Sequence, residues 1–274
     1  MNRSKNISID REIFLFFCFT FIISWLIQIP RLLVDKGIVS LPSVLVVIST
    51  AFPIGPMFAA FIVTYSNSGL QGIKKLWNRA WNFKFDKKWL LITLLVPVVT
   101  SGITIAAIYL IGKLVPWQHQ SLPPLLSIPI FIAIYLTQAL PEEIGWRGFA
   151  LDHLQDKYNA LTASLILGFV WGLWHLPLHF MRGTTQEVIP VIEFILKQMV
   201  GSIFYTWIYN NSNKNLFLII LLHALWNVGG GLIPYWVTPT GRWVSFIVEV
   251  VLAIVVIIIF GAERMTIRDR KPHE

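Results

Sequence analysis

The chain has 274 residues, 55% of them hydrophobic and only 13% charged, with a mean hydropathy of +0.67. A soluble domain carries about 25% charged residues, so this composition excludes one and describes a polytopic membrane protein. The formal net charge of +8 needs no nucleic-acid partner, because loop Lys and Arg set membrane orientation.

The first apolar run follows Arg3, Lys5 and Arg11 and holds the single cysteine, Cys18. One cysteine permits no intramolecular disulfide and argues against a Cys-based metal site. The run is too long for a signal-peptide core. Gln28, Pro30 and Arg31 follow it instead of a small-residue cleavage site, so it reads as a retained span. A membrane helix needs about 20 apolar residues, and eight segments qualify: Ile13–Ile29, Leu41–Tyr65, Trp89–Lys113, Ile128–Gln155, Ala160–Phe180, Val188–Tyr209, Asn215–Ile233 and Trp243–Phe260. The fifth is interrupted by Pro177, and the fourth turns polar in its second half, which predicts a cytosolic extension.

Eight spans put both termini on one side. Lys and Arg then divide sixteen to five between the two faces, with Lys197 inside a span. That bias places both termini in the cytoplasm. Short tails allow a bacterial source, hence a plasma-membrane location. No repeat or linker divides the chain, so residues 1–274 form a single transmembrane domain. The expected fold is all-α, a polytopic helix bundle with a polar intramembrane cavity opening near the cytoplasmic leaflet.

Chemistry concentrates in the core from about 128 to 233. Glu142 and Glu143 directly follow the apolar run 128–140. A carboxylate at the bilayer centre costs roughly 2.5–3.5 kcal/mol on insertion scales, so the pair needs a reason. Arg147 lies four residues after Glu143, on the same helix face, and can pair with it; Glu142 is then free to face something else. His175 interrupts the fifth span, one turn after Trp171. His223 and Asn227 share a face of the seventh. Gly168 and Gly172 make a small-xxx-small pair that admits a neighbouring helix. Carboxylate and imidazole can share a water as general base and acid. A second imidazole and an amide can donate to a developing oxyanion. The set is what peptide-bond hydrolysis requires.

Each feature alone also has a structural reading: an ion-pair network for Glu142, Glu143 and Arg147, and interhelical glue for His223 and Asn227. His179 is assigned to structure or to the external interface. Asp152 and His153 are expected on a solvated helix face, and Lys197 to snorkel or to pair with Glu193 at i,i+4.

Taken in order, E-E-x-x-x-R, aromatic-x-x-x-H and H-x-x-x-N resemble the signatures of the type II CAAX prenyl endopeptidase family, the CPBP intramembrane proteases, which include bacteriocin-processing and self-immunity members. The resemblance covers about residues 130–230. It implies an intramembrane endopeptidase acting on a membrane-associated or lipidated peptide. Glu142 and His175 would activate water, Glu143 and Arg147 would shape the site, and His223 with Asn227 would form the oxyanion hole. Trp171 stands where the family usually has Phe. With an aromatic retained, Trp171→Phe is expected to lower activity by less than about tenfold, about 1.4 kcal/mol of barrier. The family has been described both as metalloprotease-like and as metal-independent. Glu142, His175 and His223 can make a three-ligand zinc site with an open position, but three separate helices do not force one, and metal-independent catalysis is the expectation. Two other classes stand beside the enzyme: a non-enzymatic membrane immunity or interaction protein, and a proton-coupled transporter. The oligomeric state is not set by the sequence.

Overall fold

The computed structural model describes residues 3–51 and 53–266. Within them the chain is helical, in nine segments: α1 Arg3–Asp35, α2 Ser43–Ala51, α3 Gly55–Ala80, α4 Lys87–Leu110, α5 Pro124–Gln155, α6 Ala160–Trp174, α7 Val191–Asn211, α8 Leu216–Leu232 and α9 Pro239–Phe260. Side-chain caps mark several starts. Asp86 accepts from the Lys88 amide at 3.0 Å, Asn159 from Thr162 at 2.8 Å, and Asn215 from Leu218 at 3.1 Å, each satisfying a donor with no partner inside its helix.

Among the described residues six helices are long and apolar enough to cross a membrane, and Leu216–Leu232 is a shorter apolar one. A polytopic bundle is therefore what the chain builds, and eight spans is an approximate count. The second expected span is where the count loosens. It is not one helix: α2 ends at Ala51 and α3 begins at Gly55 with Pro56 in its first turn. Pro53 and Pro56 lack the amide hydrogens that a continuous helix would use. Further on, Gly69 adopts φ +60 and kinks α3. As the sequence anticipates, α6 stops at Trp174, and Leu176–Phe180 continues as a 3₁₀ turn around Pro177.

Lipid tails are as apolar as leucine, so helices associate in a membrane through close packing and polar contacts. The glycines of α6 show this. A Cβ on Gly168 would lie 2.6 Å from Met199 Cα and 2.7 Å from the Gln198 carbonyl oxygen, and one on Gly172 would lie 3.0 Å from Ile195 Cα. The small-xxx-small pair thus seats α7 against α6. Because the obstacles at Gly168 are backbone atoms, Gly168→Val is expected to cost about 1–3 kcal/mol or more by overpacking, read as a lowered unfolding midpoint in detergent. Gly145 plays the same part for α3, whose Pro56 carbonyl carbon would sit 2.5 Å from an added Cβ.

One end of the bundle is tied by polar groups. Asp152 accepts from the Tyr209 hydroxyl at 3.0 Å and pairs with Arg79 at 3.1 Å and Lys214 at 2.8 Å. Arg79 also donates to the Gly148 carbonyl at 2.7 Å and to the Tyr209 hydroxyl. His153 spans the Phe149 carbonyl and Glu12. Asp152 and His153 therefore do not sit on a free solvated face, and the second half of α5 is not a loose extension. Residues 139–151 are buried throughout.

Candidate active site

Two carboxylates sit in a helix that is locally unwound on both sides. Leu140–Gly145 is α-helical, but Tyr135–Ala139 before it and Trp146–Ala150 after it are π-helical turns. Pro141 has no N–H to give to the carbonyl four residues back, and the wider turn ahead of it accommodates the ring. Such turns are frequent at functional sites.

Glu143 and Arg147 are fully buried. Arg147 Nη1 donates to both Glu143 oxygens, at 2.9 and 3.1 Å, and Nη2 donates to Ser202 Oγ at 3.4 Å. Its guanidinium lies between two rings, 4.3 Å from the Trp171 centroid and 4.1 Å from that of Tyr205. A desolvated guanidinium gains most from such faces. Glu143 Oε1 also receives His223 Nδ1 at 2.7 Å. That bond fixes the ring of His223 and turns its Nε2 to other work.

Glu142, 5% exposed, faces away from this pair. Its Oε2 accepts from Trp171 Nε1 at 2.9 Å. One turn on from Trp171, His175 uses Nδ1 to donate to the Trp171 carbonyl at 2.8 Å. A carbonyl only accepts, so Nδ1 carries the hydrogen and Nε2 keeps its lone pair. Asn227 lies one turn beyond His223 on α8 and is exposed.

Glu142, His175, His223 and Asn227 line one cavity of about 1170 Å³. All four sequence candidates for direct chemistry are thus on a common wall, with Glu143 and Arg147 behind it. His179 lies apart, its Nδ1 on the Ile189 carbonyl at 2.9 Å and its ring 5.1 Å from Phe194, which also contacts His175 at 5.0 Å. Its contacts are structural.

Several lining groups carry no motif. Tyr205 comes from α7. Gln28 comes from α1, 5% exposed, with its Oε1 lacking a partner. Lys197 also lines the cavity, but it pairs with Glu249 on α9 at 3.1 Å and donates to Ser245 at 2.9 Å, while Glu193 pairs with Arg242 at 2.7 Å. The local i,i+4 pairing expected for Lys197 loses to partners across the helix interface. The wall continues through Gly183, Thr184, Gln186 and Arg242. Gly183, Thr184 and Gln186 belong to the connection between α6 and α7, and Arg242 to the first turn of α9. The cavity therefore reaches toward the end of the bundle that carries the α6–α7 loop.

As to a metal, no three His, Cys, Asp or Glu side chains among the described residues are arranged to hold one. Glu142 Oε1 and the Nε2 atoms of His175 and His223 are left clear, while each Nδ1 is held by an oxygen, an arrangement that metal-ligating histidines also use. No step below runs through a metal.

A carboxylate and two imidazoles thus line one cavity within a helix bundle of membrane-spanning composition. Residues 124–229, which contain all six site residues, match the family described as type II CAAX prenyl endopeptidase, Rce1-like. The chain is also 33% identical over 107 residues to CAAX prenyl protease 2 of Methanococcus maripaludis, an alignment that covers 37% of this chain and 39% of the relative. The chain spans about two fifths of the length of the curated relative it matches.

Proposed function

We propose that the chain is an intramembrane endopeptidase that hydrolyses a peptide bond in a membrane-associated or lipidated peptide. The observation that carries this reading is the convergence of Glu142, His175, His223 and Asn227 on one cavity. With Oε2 held by Trp171, Glu142 has Oε1 left to receive a water. Glu142 takes one proton as the water oxygen attacks the scissile carbonyl carbon, with the lone pair of His175 Nε2 aligning the second O–H. His223, anchored through Nδ1, and the Asn227 amide donate to the oxyanion. Collapse breaks the C–N bond, and the proton on Glu142 passes to the leaving amine. With Nδ1–H on Glu143, His223 donates in this mechanism through a second hydrogen, on Nε2.

The cavity's size and surface suit a peptide. At about 1170 Å³ it exceeds the roughly 300–1,000 Å³ typical of small-molecule sites. Its buried Gln28 oxygen without a partner is an acceptor that a backbone N–H would satisfy. Catalysis is metal-independent in this reading, and the lipid bilayer is the working environment. A prenyl group enters through the relative's name, CAAX prenyl protease 2, and is one arm of the test.

Purified wild type and Glu142→Gln in liposomes, given lipidated, C-terminal and bacteriocin-leader peptides, should differ by mass spectrometry, with wild type alone producing fragments. Cleavage is expected to persist after strict chelation. Loss on chelation with recovery on added zinc would overturn the metal-free mechanism. Silence from both folded proteins across the panel would favour an immunity protein that uses these residues as structure.

A further inference from the structure

Trp171 touches Glu142, Arg147, His175 and His223. Its N–H reaches Glu142 Oε2 at 2.9 Å, its face carries the Arg147 guanidinium at 4.3 Å, and its carbonyl holds His175 Nδ1 at 2.8 Å. Its ring also meets those of His175, His223 and Tyr205 edge-on, at centroid separations of 5.8, 5.6 and 5.7 Å. A phenyl ring could provide the packing and, less strongly, the cationic contact. It has no N–H. Glu142 makes its one protein hydrogen bond among the described residues through that group, at a position 5% exposed.

The geometry points to Trp171 as the positioning residue of the base: the indole N–H fixes one oxygen of Glu142 and so aims the other at the water. Without it the carboxylate is free to rotate about its terminal torsion, which is broad and roughly two-fold, and the reacting geometry is held only part of the time. This replaces the expectation that any aromatic at 171 would serve. The inference rests on the peptidase reading, and the test is built to separate the two.

The decisive variant exchanges the Trp171 indole for benzothiophene, using β-(3-benzothienyl)alanine, which keeps the shape and replaces N–H by sulfur. Trp171→Phe is run beside it. With a peptide that wild type cleaves, kcat should fall about ten- to a hundredfold in both, the size expected for losing one hydrogen bond to a charged group. KM should stay within about twofold, as for an interaction that matters in the transition state, and the unfolding midpoint of the benzothiophene variant should not move. The bond is also read without turnover. The Glu142 carboxyl stretch, isolated as an infrared difference between each protein and its Glu142→Gln counterpart, should shift when the N–H is removed. An unshifted band, or a benzothiophene variant with wild-type kcat, would overturn the proposal. A shifted band in a protein whose wild type cleaves nothing would overturn the peptidase reading, and the catalytic role with it, while keeping the bond.

Discussion

Glu142→Gln is expected to lower kcat by about 10²–10⁴-fold, the usual contribution of a positioned general base, with the folded state intact. The amide keeps the volume of the carboxyl, and its oxygen can still accept from Trp171 Nε1, the contact made now at 2.9 Å. What disappears is the capacity to take a proton from water. Stability should hold or rise, because the substitution removes a carboxylate from a site where ionised groups are costly. Single-turnover cleavage alongside thermal unfolding in the same detergent checks both halves. A loss smaller than about fivefold would remove Glu142 from the role of base. A large loss with a lowered unfolding midpoint would assign it to structure.

The candidate site was readable because its members are polar groups set in apolar spans. Polar side chains in apolar spans are expensive unless something uses them, so Glu142, Glu143, His175, His223 and Asn227 stand out of their segments. Four-residue spacings then give the shared faces, as the 2.9 Å Glu143–Arg147 pair shows. Gly168 and Gly172 were readable for a related reason: absence of a side chain is itself a packing signal.

What escaped the sequence depends on contacts between helices, which local spacing does not encode. Lys197 has a carboxylate one turn away in Glu193 yet pairs with Glu249 across the bundle, at 3.1 Å. Asp152 reads as a surface residue until α3, α7 and the α7–α8 loop bring Arg79, Tyr209 and Lys214 to it. Tyr205, Ser202 and Gln28 belong to the site through position alone. Trp171 was placed correctly, but the sequence could assign only its ring. Whether an indole N–H finds a partner depends on where the next helix puts its carboxylate. The break between α2 and α3 was signalled by Pro53 and Pro56, and hydropathy averaged over the window smoothed it away.

Arg147→Ala is expected to cost the fold about 3–5 kcal/mol, the penalty for leaving a buried charge without its partner. Arg147 and Glu143 are both 0% exposed, so water screens neither. Arg147→Lys should recover little. An ammonium does not reproduce the planar fork that reaches Glu143 and Ser202 from between the rings of Trp171 and Tyr205. The informative variant removes both charges together. Glu143→Gln with Arg147→Met should regain most of the lost stability, since replacing a buried pair by neutral groups is often neutral or stabilising. It should not regain activity, because an uncharged partner at 143 no longer holds the His223 ring through a charge-assisted hydrogen bond. Unfolding midpoints and kcat for the single and double variants separate the two contributions. Stability restored without turnover would show that the pair is retained to orient His223. A stable double variant with wild-type kcat would make the pair a helix clamp, and His223 would need another anchor for its ring.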